Sequence, residues 1–204
     1  MKRSVIAFLC ILVSSVQTVI AQTDSELLQS KLAKVDVIQA DFKQQVINPE
    51  GRLIQESTGQ LTISRPGNFY WQVQQPDEEL IVSNGSNIWL YSPFIEQVTI
   101  MNFVDAVDGT PFVLLSGADA SQWKNFEVTK FDNQFIVSNK NNIDNKTKFT
   151  FIFDKNDNIN EFRVEESHGQ VSLFKLTPNQ KSKKLSSDLF EFKIPEGVEI
   201  DDQR

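Results

Sequence analysis

The sequence predicts a mainly β protein in which one large antiparallel sheet curls on itself and a few helices cover an open side. Three observations carry this. From residue 38 onward, short segments of alternating or aromatic-rich character recur between tight-turn dipeptides, about ten or eleven in all. Helical spacing of apolar residues occurs in two places only, too few for an α/β fold. No internal repeat and no linker rich in Gly or Ser divides the chain, so residues 22–204 read as a single domain.

The elements follow in order. Residues 23–35 read as a helix, with Leu27, Leu28, Leu32 and Val35 at helical spacing and Asp24 or Ser25 as the N-cap. Residues 38–47 alternate loosely through Ala40, Phe42, Gln44 and Val46, and Asn48-Pro49-Glu50-Gly51 is a turn. Strands are expected at 53–65 and 69–75. Two more, at 80–83 and 88–91, flank Asn84-Gly85, the strongest short hairpin signal in the chain. Another covers 96–102. A helical pattern then interrupts at 103–119, with Thr110 as cap, Pro111 at the first position and Gly117 as stop. Strands resume at 126–131 and 134–138 around Asp132-Asn133. At 147–154, Thr147, Phe149, Phe151 and Phe153 share one face. Asp157-Asn158 and His168-Gly169 turn the chain into strands at 159–166 and 170–176, and a last strand is expected at FEFKIP, residues 190–195.

Residues 1–21 read as a cleaved secretory signal. Lys2 and Arg3 precede an apolar run from Val5 to Val13, and Val19-Ile20-Ala21 precedes the expected new N-terminus at Gln22. No later stretch approaches the roughly 20 apolar residues of a membrane helix, so an exported protein that is not membrane-embedded is expected. The one cysteine, Cys10, lies within the signal rather than at the cleavage site, which argues against a lipid anchor there. Without Lys2 and Arg3 the chain carries 18 basic and 27 acidic residues, a net charge of −9. There is no basic stripe, which argues against nucleic acid as a partner. An acidic surface also avoids anionic headgroups. Phe outnumbers Tyr by 16 to 2. Phe lacks a polar tip, so this bias suits a dry core or an apolar cavity.

Catalytic chemistry is hard to place. The one histidine, His168, precedes Gly169 in a turn, so no cluster of His and Cys can hold zinc. There is no G-x-S-x-G, H-E-x-x-H or phosphate-cradling glycine loop. Acidic neighbours such as Glu165-Glu166 point to opposite faces of a strand, and residues 154–158 lack the glycine and terminal glutamate of a calcium loop. No cofactor, metal or enzyme activity is expected.

Apolar faces remain. Leu61 and Ile63 share a strand face with Arg65, and after Pro66-Gly67 comes a second row of Phe69, Trp71 and Val73. A guanidinium at the end of an oily row has two outcomes: it snorkels to water, or hydrogen bonds pin it. With Trp89, Phe94, Phe112, Leu115, Phe149, Phe151 and Phe153, these residues either fill a solid core or line the concave side of the curled sheet. A concave apolar interior suits acyl chains.

The segments Ser64-Arg65-Pro66, Asn68-Phe69-Tyr70-Trp71, Gln75-Pro76-Asp77-Glu78, Val82-Ser83-Asn84-Gly85 and Trp89-Leu90-Tyr91-Ser92-Pro93-Phe94 closely resemble the periplasmic outer-membrane lipoprotein carrier (LolA) family. So do Thr110-Pro111-Phe112-Val113-Leu114-Leu115 and the ending Pro195-Glu196-Gly197-Val198 with Asp201-Asp202-Gln203. The matches run in order along nearly the whole chain after residue 21. The resemblance implies an incomplete, curved antiparallel β-barrel with a helical lid over a hydrophobic cavity. It implies a monomeric periplasmic carrier that accepts triacylated lipoproteins from an ATP-driven transporter (ABC) complex of the inner membrane. The carrier would deliver them to an outer-membrane receptor lipoprotein (LolB). It further implies that Arg65 bonds to lid segments and holds the empty cavity shut, and that Phe69 contacts the transporter. Gly67 after Pro66 departs from the pattern and is expected to relax that corner. A lipid-sensing protein of the same fold without transfer activity is the alternative.

Overall fold

The computed structural model describes residues 22–107, 112–117, 120–141, 147–179 and 185–204. Helix α1 (Asp24–Leu32) opens the described chain and strands β1 (Val37–Ile47) and β2 (Leu53–Ser64) follow. Next come β3 (Asn68–Gln75), β4 (Glu79–Asn84), β5 (Asn87–Ser92) and β6 (Gln97–Asn102). Three short helices, α2 (Phe103–Val107), α3 (Phe112–Ser116) and α4 (Ala120–Trp123), carry the chain to β7 (Phe126–Phe131) and β8 (Gln134–Asn139). The chain continues through β9 (Lys148–Phe153), β10 (Ile159–Glu165) and β11 (Val171–Pro178) to β12 (Glu199–Asp202).

The twelve strands among the described residues belong to one sheet, in the order β12-β6-β5-β4-β3-β2-β1-β11-β10-β9-β8-β7. The first six strands meander outward from β1. The helices α2–α4 cross to the far edge, and β7–β11 meander back until β11 pairs with β1 from Ala40↔Pro178 to Ile47↔Val171. Because β12 and β7 end the sheet without meeting, the barrel is incomplete. All pairings are antiparallel except β12 with β6, which is parallel.

Alternation sorts the side chains between two faces. Cross-strand pairs set Phe135 beside Phe151, Phe151 beside Phe162 and Phe162 beside Phe174. In the other half of the sheet, Ala40 faces Leu61, Leu61 faces Trp71 and Trp71 faces Ile81. These rows share the concave side and form one core with Leu28 and Leu32 of α1 and with Val107, Leu114, Leu115 and Trp123 of the connecting helices. Gly59 makes the tightest part possible. A Cβ there would lie 1.9 Å from the Gln72 carbonyl oxygen and 2.6 Å from the Phe42 ring. With no side chain at Gly59, Phe42 lies across the strand and stacks on Trp71 with centroids 4.3 Å apart.

Three expectations from the sequence are corrected. The strand expected at residues 190–195 is instead a 3-10 turn (Ser187–Phe190) followed by an unpaired strap. Its two phenylalanines cover the convex face: Phe190 is buried, and Phe192 packs on Trp89 and Tyr91. The alternation in FEFKIP therefore marks packing on a sheet, not pairing within one. The last strand lies later, at β12. Where one helical segment was expected over 103–119, three short helices stand across 103–123, and the capping Thr110 and Pro111 lie outside the described residues. Helix α1 ends at Leu32 rather than at residue 35, and Thr23 caps it through a reciprocal pair with Glu26.

Candidate functional site

The candidate site is the concave face and the helices over it, which meet at the corner after β2. There the chain turns through Arg65, Pro66 and Gly67. Arg65 donates from Nε to the Leu115 carbonyl at 2.8 Å and from Nη1 to the Leu32 carbonyl. Leu32 is the last residue of α1, and Leu115 lies in the last turn of α3. Carbonyls in the last turn of a helix have lone pairs to spare and sit at the negative end of its dipole, so both suit a cation, and the Leu32 carbonyl takes Arg65 in addition to the Val35 N–H at 3.3 Å. Burial pushes the guanidinium pKa down, and the nearby Asp36 carboxylate opposes this. Of the two outcomes open at Arg65, pinning is the one observed.

Gly67 strengthens the corner and does not relax it. Its N–H donates to the Ser116 carbonyl at 2.8 Å, and its own carbonyl accepts from the Ser83 hydroxyl at 2.8 Å. Its φ is +71°, and a Cβ would stand 2.7 Å from the Cα of Gly85. The left-handed backbone and the contact with Gly85 both require glycine. The expectation of a looser corner overlooked this close approach.

Helix α1 is fastened at two further points. Lys31 pairs with Asp157, with its ammonium 5.1 Å from the centre of the Phe153 ring. Asp157 sits in the β9–β10 turn at φ +65°, shaped by Asp154, whose carboxylate accepts the N–H groups of Asn156 and Asn158. At the other end of α1, Asp24 accepts the Lys130 N–H on β7 at 2.8 Å. Lys31 holds the Asp157 carboxyl below its usual range, helped by Lys34 at 3.6 Å. A carboxylate with a lowered native pKa adds stability at neutral pH that is lost as pH falls through that value. The lid should therefore loosen in acid. Asp157→Asn should speed amide exchange across α1 at pH 7 by a small factor, screened further by salt, while leaving the strands unchanged. Hydrogen exchange read by mass spectrometry checks this, and equal α1 exchange in variant and parent would show the ion pair idle.

Beneath α1 lies a hollow of about 290 Å³. Leu32, Val35, Ile38, Ala40 and Leu176 line it together with Arg65. The remainder of the concave side is filled by rings. Phe162 stacks on Phe174 at 4.3 Å, and Trp71 meets Phe174 edge-on at 5.3 Å, so Trp71 bridges the two halves of the sheet. The hollow thus has room for about one hydrocarbon tail, and anything larger needs the rings around it to move apart.

Most residues expected to line the cavity meet on this side. Leu61, Ile63, Phe69, Leu115, Phe149, Phe151 and Phe153 are buried in the one core, and Trp71 packs against it. Two do not. Trp89 points to the convex face, where it contacts Phe192, because Ile88 takes the inward position on β5. Phe94 sits in a 3-10 turn beyond β5 and is 88% exposed. Phe112 opens α3, and its side chain lies outside the described set. Phe69, the expected transporter contact, is 5% exposed and belongs to the packed interior. Phe42, Phe162 and Phe174 were not among the expected lining residues. Phe162 is hidden in the charged stretch INEFRVE, and only its pairing between Phe151 and Phe174 reveals its role.

Among the described residues, no group of three or more His, Cys, Asp or Glu is placed to hold a metal, and no helix is long and apolar enough to cross a membrane.

Comparisons with known proteins agree with this geometry. The family described as "Outer membrane lipoprotein carrier protein LolA" matches residues 33–193. An outer-membrane lipoprotein carrier protein of Psychromonas ingrahamii is 50% identical over 205 residues, spanning 100% of both chains. One from Aeromonas salmonicida is 41% identical over 204 residues, again spanning 100% of both. Among solved structures, an uncharacterized conserved protein from Thermus thermophilus superposes with a TM-score of 0.51 at 10% identity, covering 89% of this chain and 100% of its own, a likeness of fold alone.

Proposed function

The chain belongs to the outer membrane lipoprotein carrier (LolA) family and is a carrier of lipoproteins, and we propose that it works in the periplasm between two membrane partners. Residues 1–21 are the export signal, removed before Gln22, and residues 22–204 act as one carrier domain. An ABC transporter complex in the inner membrane releases triacylated lipoproteins to the open form. The chain shields their acyl chains on its concave face, which Leu61, Ile63, Phe69, Trp71, Phe149, Phe151 and Phe153 help to form, and passes them to the receptor lipoprotein LolB. It breaks and makes no covalent bond in doing so.

The observation that carries this reading is Arg65 bonded to the C-terminal ends of two lid helices above a phenylalanine-lined face. The energetics explain why such a latch is useful. Each buried methylene contributes about 0.8 kcal/mol, so one acyl chain of about 16 carbons costs roughly 12 kcal/mol to leave in water. A carrier must shelter that surface, yet release it to the next protein. Hydrogen bonds that favour the empty closed state lower the net affinity for cargo by the same free energy. Loading therefore opposes the latch, and relatching assists delivery.

Incubation with inner-membrane vesicles bearing the energised transporter tests the proposal. The expected product is a soluble complex of this chain with lipoprotein, formed only with ATP. A lipid sensor of the same fold would leave the lipoprotein in the vesicles, and that result would overturn the carrier reading.

A further inference from the structure

The two edges of the sheet are protected in different ways. A free edge strand invites pairing with another chain, and short length, charge or a covering element normally prevents it. At one edge, β12 is four residues long and reads Glu-Ile-Asp-Asp. At the other, β7 has six residues and pairs with β8 without a bulge, from Phe126↔Asn139 to Phe131↔Gln134. Its cover is α1, which packs on it and whose Asp24 carboxylate accepts the Lys130 N–H at 2.8 Å. That bond points away from β8, and in an antiparallel pair such outward groups recur at every second residue. Phe126, Val128 and Lys130 therefore turn their N–H and C=O groups toward the open edge. Phe131 and Ile136 add exposed apolar surface on the convex side, diagonal to one another.

We propose that the β7 edge, once α1 lifts, pairs as a strand with the polypeptide that follows the acylated end of the cargo. This pairing rests on the carrier reading, since it is loading that moves α1. Phe153 of β9 lines the hollow beneath α1, and β9 lies two strands from β7, roughly 10 Å at ~4.8 Å per strand. A peptide attached to acyl chains in that hollow needs only about three extended residues to reach the edge. Main-chain pairing suits cargo of differing sequence, because it uses N–H and C=O groups that every peptide shares. The Lys130 N–H then exchanges the Asp24 carboxylate for a cargo carbonyl, so the seated peptide also keeps α1 from closing.

The test is calorimetric titration of the protein spanning residues 22–204 with two synthetic lipopeptides, below their aggregation concentrations. Both are a triacylated cysteine with octanoyl chains, followed by a short peptide of alanine and serine, and in one of them the peptide amides are N-methylated. The plain lipopeptide should bind about tenfold or more tighter, the size of two net backbone hydrogen bonds. Val128→Pro removes an outward N–H and sets a ring at the edge without breaking the ladder to β8, so the preference should fall toward one. Lost packing at Val128 or a looser α1 changes both affinities together, so the ratio isolates strand pairing. Equal affinity for the two lipopeptides, a preference that survives Val128→Pro, or no binding of either would overturn the pairing. A dimer of this chain forming with both lipopeptides, read by sedimentation, would give the edge to a second copy and overturn it as well. Lipoprotein release from vesicles by the same preparation reads the carrier role separately. Normal release with equal affinities removes only the β7 site, whereas a preference without release removes the carrier reading and leaves the edge as a site for acylated peptides.

Discussion

Arg65→Leu should give a carrier that takes up lipoprotein and does not let it go. The substitution removes the bonds from Nε to the Leu115 carbonyl and from Nη1 to the Leu32 carbonyl and leaves an apolar side chain at the edge of the hollow. Hydrogen bonds to a charged group contribute about 1.5–3 kcal/mol each. Arg65 is only half-buried, so the lower end applies, about 3 kcal/mol for the pair. A shift of that size in the balance between closed and open states changes cargo affinity on the order of 100-fold. Transfer to the receptor should slow by a comparable factor, while uptake from the transporter continues. Arg65→Lys keeps the charge and loses the planar fork, so it should fall between the two. Transfer assays with purified receptor measure this, and delivery by Arg65→Leu at the parent rate would remove Arg65 from the mechanism.

Gly59→Ala should be among the most damaging single-methyl additions in the sheet. The new Cβ would meet the Gln72 carbonyl oxygen at 1.9 Å, a backbone atom of the paired strand that cannot move without disturbing the β2–β3 ladder. It would also press on the Phe42 ring, which stacks on Trp71, the residue that reaches Phe174 in the other half of the interior. Overpacking a tight site costs typically 1–3 kcal/mol and occasionally more. With backbone on one side and a ring on the other, the upper end is expected, about 3 kcal/mol. For a chain of this size that lowers Tm by roughly 6–12 °C. Gly51→Ala is the control: its position is open, so only the left-handed backbone at φ +78° resists, about 1 kcal/mol. Thermal unfolding followed by circular dichroism compares the two, and equal losses would show that the Gly59 contact relaxes freely.

Local chemistry made the hairpins legible. Asn84-Gly85, Asp132-Asn133, Asp157-Asn158 and His168-Gly169 all turn where their residue types predict. Long-range organisation was not legible in the same way. The pairing of β1 with β11 joins residues more than a hundred positions apart, and no periodicity announces it. Trp89 shows a second limit. Alternation says that Ile88 and Trp89 face opposite ways, but not which face is concave when the strap at Phe190 and Phe192 makes the convex face apolar too. The arginine was visible as an oddity at the end of an apolar row, and its partners were not. They are main-chain carbonyls 33 and 50 residues away, whose identity no side-chain pattern records. Gly67 was read as slack because its contact, the backbone of Gly85, carries no side chain at all.

Under the proposed function, acyl chains enter beneath α1 and α1 lifts to admit them. The direct measurement is the distance between spin labels at Ala33→Cys, which ends α1, and Asn160→Cys on β10, both exposed positions. Protein lacking residues 1–21 carries no other cysteine. The empty protein should give a single short distance, and the lipoprotein complex a longer and broader distribution. The same short distance with lipoprotein bound would contradict the account, because the cargo would then be held somewhere other than under the lid.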